Sequence, residues 1–368
     1  MGLLSQGIAR CSVQGLILAM LCALPVPASA FDHEAFARRA LEQHIVPAYR
    51  RFLVAADAQD AAVTALCAAP GDATFASARQ TFSAALDAWG RVEHIRFGPI
   101  MDQNRYSGLL LWPDPRGIAR RQIERALTQQ DKDVLSPEAL ADKSVALRGF
   151  TALDILLFAA GSEDLTKSEP AGAFRCGYAS AVAKVIARVA KDTLQAWSAP
   201  DGFAARWLYP GPDNPVFLSA KETTQAIGQA YLNGLKQLRN VRFAGPLGFK
   251  DRSVRALEPP VSNSGRALAL AVANIEGLRA LLLDTGLSEP LTPGTPPHSV
   301  MQATVTEFET AISTIRKAAL SKKPFEEANA RNQLILIGFP LKNAFDTGAA
   351  YLAEEAGLTI GFNALDGD

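Results

Sequence analysis

The chain has 368 residues, 48% of them hydrophobic, with 37 basic side chains against 37 acidic ones. That balance leaves no electrostatic footprint for nucleic acid or an anionic membrane surface. The length accommodates one large domain or two ordinary ones, each with its own core.

Residues 1–30 read as an export signal. Arg10 supplies a positive start, Gly15 to Leu24 is a short apolar run, Pro25 and Pro27 break any helix, and Ala28-Ser29-Ala30 fits the small-x-small cleavage rule. The apolar run falls short of the roughly 20 residues a membrane-spanning helix needs. Lipid attachment at Cys22 is disfavoured because bulky Leu21 stands where a small residue is wanted. The expected product begins at Phe31 in the periplasm or cell envelope, with no further apolar run long enough to span a membrane. Cys67 and Cys176 remain after cleavage. In an oxidising compartment they are either a disulfide or two buried thiols, and the address favours the disulfide.

Helical periodicity dominates the rest of the chain. Apolar residues recur at three- and four-residue steps over 34–56, where Pro47 should kink or interrupt the helix. Thr74 to Trp89 repeats the pattern. Ser144 to Ala160, Phe174 to Trp197 and Ser219 to Val241 are three more long candidates. The best strand fragment is the short Val241-Arg242-Phe243. Arg242 to Asn263, with Gly245-Pro246 and Pro259-Pro260, reads as a long loop or linker. A second helical set covers Gly265–Leu283, Ser299–Leu320 and Phe325–Glu355, the last broken near Gly338–Pro340, with the proline-rich loop Ser288–His298 between the first two. The expected architecture is all-α: two packed helical-bundle domains, 31–245 and 246–368.

Familiar catalytic patterns are missing: there is no His-Glu-x-x-His pair, no Gly-x-Ser-x-Gly elbow and no phosphate-binding glycine loop. Two segments stand out instead. Trp89 to Pro99 gathers Glu93, His94, Arg96 and Phe97 at a helix end broken by Gly98-Pro99, opening an irregular excursion that runs to Asp114. Glu93 and His94 are adjacent and so point about 100° apart on a helix, which keeps them from gripping one ion together. Gly149 to Asp154 places Thr151 and Asp154 three apart on one face of a strongly apolar helix. A carboxylate there needs a partner, because burying an unpaired charge is costly.

These segments resemble the imelysin family, bacterial envelope proteins related to insulin-cleaving metallopeptidases and to the periplasmic component of iron-uptake systems. The match lies in Trp89 with Arg96-Phe97-Gly98-Pro99, in Gly149 to Gly161, in Arg175-Cys176-Gly177-Tyr178, in Arg252-Ser253, in Asn274 to Arg279, and in the C-terminal Gly361-Phe362-Asn363 and Asp366-Gly367-Asp368. The resemblance implies an all-α fold of two bundle-like domains. It also implies a Gly-x-His-x-x-Glu signature, whose imidazole and carboxylate would face one metal. Here Thr151 and Asp154 stand in the places of that His and Glu, and a threonine is a poor ligand for zinc or iron(II). The metal candidates are therefore Asp154 with His94.

The functional expectation is a non-catalytic periplasmic binding or accessory protein in iron or haem acquisition. Its binding cleft is expected from Trp89, Glu93, His94, Arg96, Phe97, Gly98, Pro99, Gly149, Thr151, Asp154, Arg252 and Ser253. Its ligand would be a small molecule, iron or another divalent metal, or haem, and its partners other envelope iron-uptake components. A metal-dependent peptidase of the imelysin type and a structural, partner-docking helical protein are the alternatives.

Overall fold

The computed structural model describes residues 31–249, 256–287 and 298–359. The expected signal segment, Arg252, Ser253, most of the proline-rich loop and the C-terminal Gly361 to Asp368 lie outside the described residues. Every regular element among those described is helical.

The chain begins with α1 (His33–Arg39), passes through a π-helical turn (Ala40–Ile45) and continues directly as α2 (Val46–Ala68). The expected interruption is therefore the π-turn itself. Pro47 follows directly on the π-turn, and the helix changes pitch there instead of ending, although the proline has no N–H to donate to the turn before it. Next comes α3 (Asp72–Gly90), whose buried face is Phe75, Ala78, Phe82, Ala85, Leu86 and Trp89, a stripe at helical spacing.

Residues 91–114 form the irregular excursion: a turn, a tight helical segment (Gly98–Asn104), a single helical turn (Arg105–Leu109) and an extended stretch. It leads into α4 (Ile118–Gln129). The next helix starts later than its hydrophobic pattern suggests. Val145–Leu147 is a separate turn, Arg148 is extended, and α5 runs from Gly149 to Phe158. The break is set at Gly149. Its φ is +72°, and a Cβ there would lie 2.2 Å from the Gly108 carbonyl oxygen and 2.4 Å from that of Leu109. Only glycine lets the excursion approach α5 so closely.

Helix α6 (Pro170–Ser198) packs along α2, and α2 also packs on α3. Phe52, Trp89, Phe82 and Phe150 fill the space between α2, α3 and α5, with ring centroids 5.6 Å apart for Phe52–Trp89 and 6.0 Å for Phe82–Phe150. Cys67 and Cys176 are bridged, tying the end of α2 to the first turns of α6 across 109 residues of sequence.

Helix α7 (Ala220–Lys236) continues into a second π-helix (Gln237–Phe243) and a last turn (Ala244–Leu247). The expected strand fragment Val241–Phe243 is thus helical, and the expected loop starts after Leu247. Arg242 and Phe243 are both buried, which the continuing helical turn allows because it keeps their backbone groups bonded. The remaining helices are α8 (Ala267–Thr285), α9 (His298–Ala318), α10 (Ala328–Leu336) and α11 (Gly338–Glu354), with the expected break falling at Ile337. Helix α9 packs on α8, α10 and α11, while α7 packs against α1 and α11. Helix α8 lies against α3 and the first π-turn. None of the described helices is long and apolar enough to cross a membrane.

Candidate functional site

The Thr151–Asp154 face of α5 points at two crossing segments rather than into open solvent. The Thr151 hydroxyl accepts from the Leu111 N–H at 3.1 Å and donates to the Leu111 carbonyl at 3.3 Å. It thereby satisfies the backbone of an extended residue that has no strand partner. Asp154 is 2% exposed. Its Oδ2 accepts from the Asn263 N–H at 3.2 Å and the Asn263 side-chain amide at 2.7 Å, and its Oδ1 from the Ser264 N–H at 2.9 Å. Burial pushes its carboxyl above the usual range, and these hydrogen bonds hold it back.

Both side chains line a cavity of about 90 Å³ shared with Trp112, Asp114, Arg120 and Asn263. The other polar groups are also engaged. Asp114 caps α4 by accepting from the Ile118 and Ala119 N–H groups, Arg120 donates to the Asn263 side-chain oxygen at 3.2 Å, and the Trp112 indole donates to the Glu258 carbonyl at 3.0 Å.

The end of α3 builds a second cluster. Glu93 receives the Arg242 Nη2 at 2.7 Å on both carboxylate oxygens and the Asn274 amide at 2.8 Å. The same Asn274 amide also donates to the Gly90 carbonyl at 2.8 Å, closing the helix end. Glu93, Arg242 and Asn274 come from α3's terminus, the second π-helix and α8, so the cluster locks three segments together. Next to it, His94 Nε2 lies 2.9 Å from His44 Nε2, and His44 Nδ1 lies 3.0 Å from Asp284 Oδ2. Burial, reinforced by the neighbouring His44, holds the His94 imidazole well below its ordinary pKa. Glu93, His94, Arg96, Tyr106 and Arg242 border a cavity of about 20 Å³, the space of one water molecule.

The ten expected cleft residues among those described therefore separate. Thr151 and Asp154 share one cavity, while Glu93, His94 and Arg96 share the other. Trp112 stands between them: its face carries the Arg242 guanidinium at 5.2 Å, and it also lines the Thr151 cavity. Trp89 is fully buried among Phe52 and Tyr106. Phe97 stacks on Trp207 at 5.3 Å, Gly98 abuts Trp197 and Phe203, and Pro99 is buried with its carbonyl accepting from Arg105. Gly149 lies beneath Gly108 and Leu109. His94 and Asp154 sit in separate clusters, and the described residues contain no group of three or more His, Cys, Asp or Glu side chains arranged to hold a metal ion. His44, Asp284, Arg242 and Asn274 are additional polar members. Arg242 had a signal, a charged residue between two apolar ones, but Asp284 and His44 had none beyond their residue types.

An imelysin family model matches residues 45–336 of the chain. The chain belongs to the imelysin family. Solved structures agree on the fold. An imelysin-like protein from Psychrobacter arcticum superposes with a TM-score of 0.72 at 18% identity, covering 90% of this chain and 99% of the other. A protein assigned as an iron-regulated protein A precursor from Parabacteroides distasonis gives 0.69 at 14% identity, covering 88% and 94%. No curated protein matches the chain. Gly149, Thr151 and Asp154 are the residues expected at the family's signature positions. The donor set does not fit a metal: both Thr151 and Asp154 are committed to backbone partners, and the described residues lining their cavity include no imidazole.

Proposed function

We propose that this imelysin is exported to the periplasm and acts as a non-catalytic binding or accessory protein in iron or haem acquisition. The observation that carries the non-catalytic reading is the use made of the two signature side chains. Thr151 holds the extended segment at Leu111, and Asp154 holds the loop at Asn263 and Ser264. A carboxylate that satisfies three half-buried donors gives them up only at the cost of those bonds, so it is a poor metal ligand or general base. The iron connection is supported by the name of the Parabacteroides structure, which is a statement about that protein. The export reading is supported by residues 1–30 and agrees with the Cys67–Cys176 bridge, since disulfides persist in oxidising compartments.

A partner-docking role is the second reading, and the size of the Thr151 cavity favours it. At about 90 Å³ it is well below the roughly 300–1,000 Å³ of sites that enclose a small-molecule ligand.

Calorimetry of the mature protein with ferric citrate and with haemin, run beside a peptidase assay with and without chelator, decides among these. Saturable binding of either ligand with no chelator-sensitive proteolysis is expected. Proteolysis abolished both by chelator and by Asp154→Asn would overturn the non-catalytic reading. Absence of binding to both ligands would remove the ligand-carrying role and leave docking.

A further inference from the structure

A third cleft, of about 600 Å³, lies between the excursion, the turn before α5 and the side of α6. Its floor includes Arg148, the residue just ahead of the signature glycine. Arg148 is 9% exposed, yet its only hydrogen bond among the described residues is from Nη1 to the Ala141 carbonyl. Its Nε is buried with no partner, and Nη2 forms no bond among the described residues. The guanidinium lies against Gly108, where an added Cβ would come within 3.1 Å of Nε and 3.4 Å of Nη2. A larger residue at 108 would therefore press on it.

The surrounding charges explain why this cation is unmatched. Lys143 is paired with Asp131 and Asp133, and Arg188 with Glu138. Asp142 is near enough to act on Arg148 through its field but makes no ion pair with it. Arg105, which also lines the cleft, donates to the Pro99 carbonyl and the Gln103 side chain and has no carboxylate partner among the described residues either. A mostly buried guanidinium with one backbone acceptor is costly unless an anion completes it. A planar fork with free donors matches the paired oxygens of a carboxylate or a phosphate.

We propose that this cleft is a binding site for a small oxyanion, a carboxylate or phosphate group held by Arg148 and Arg105. The site is separate from the Thr151–Asp154 cavity, and its failure would leave the proposed role in iron or haem acquisition untouched.

Titration calorimetry of the mature protein at low ionic strength, with citrate and inorganic phosphate as separate probes, tests it. One saturable site tighter than about 1 mM is expected for at least one anion, and the anion that binds identifies the class. Arg148→Gln and Arg105→Gln should each weaken that binding by about tenfold, and Arg148→Lys by less. Circular dichroism melts establish which variants are folded. If Arg148→Gln fails to fold, Arg105→Gln, at a half-buried position, decides the question alone. No saturable binding of either anion, or an affinity unchanged in every folded Arg→Gln variant, would overturn the site.

Discussion

His44 and His94 face each other at 2.9 Å through their Nε2 atoms, and Asp284 sits 3.0 Å behind His44 Nδ1. The carboxylate assigns the protons. It calls for Nδ1–H on His44; in that neutral tautomer His44 Nε2 accepts, and the His94 Nε2–H donates to it. His94 Nδ1 is then a bare lone pair, and it is buried with no hydrogen-bond partner. This chain links the first π-turn, the end of α3 and α8.

Protonating His94 at Nδ1 puts a charge in the interior with no acceptor for the new N–H, which gives stability a defined pH dependence. Its folded pKa is depressed by burial and by His44, below an unfolded value of about 6.5. The unfolded chain therefore binds more protons as pH falls through that window. The stability is fully present above about pH 6.5 and is lost below it, with a slope approaching about 1.4 kcal/mol per pH unit. Urea unfolding from pH 7.5 to 5 should show this loss, and His94→Leu should flatten the slope while lowering stability at pH 7.5. Parallel slopes in the two proteins would remove His94 as the cause.

Asp154→Ala should destabilise by about 1–3 kcal/mol, because it removes the acceptor of three half-buried donors on Asn263 and Ser264. Hydrogen exchange at those two amides should accelerate more than exchange in the middle of α3. Uniform acceleration across the molecule would mean that Asp154 contributes only to global stability and does not specifically anchor the loop.

The helices were legible because their burial follows a single period: the stripes on α3 and α6 can be read residue by residue. The start of α5 was not, since apolar residues run on both sides of it from Val145 to Ala160 and the break depends on a carbonyl forty residues earlier meeting Gly149. The two π-turns escaped for a related reason. A π-turn adds one residue per turn without changing which residue types are apolar, so periodicity alone reads through it. The candidate cleft divided because sequence proximity near Trp89 mixes core and cluster residues. Trp89 and Phe97 have the composition of a binding site and the environment of a core. Conversely, His44 and Asp284 are 240 positions apart, and nothing local marks them as partners.

Cys67→Ser with Cys176→Ser should lower the unfolding free energy by roughly 4–5 kcal/mol on the chain-entropy account, given a separation of 109 residues. The wild-type protein should show the same loss on adding reductant, and the double variant should show no further change. A reductant effect of equal size in the double variant would place it elsewhere than this bridge.

Glu93 and Arg242 form a buried pair whose members cannot be removed singly at low cost. Arg242→Met leaves Glu93 charged in the interior with only the Asn274 amide, which should cost about 3–5 kcal/mol. Glu93→Gln alone strands the Arg242 guanidinium, whose Nε and Nη1 already lack partners. The double variant removes both charges, so it should be more stable than the sum of the single losses predicts, with a coupling of about 1–3 kcal/mol. Denaturant unfolding of the four proteins in the cycle measures this directly. Strict additivity would mean the two side chains do not depend on each other, and the contact between α3, the second π-helix and α8 would then rest on Asn274 and the apolar packing around it.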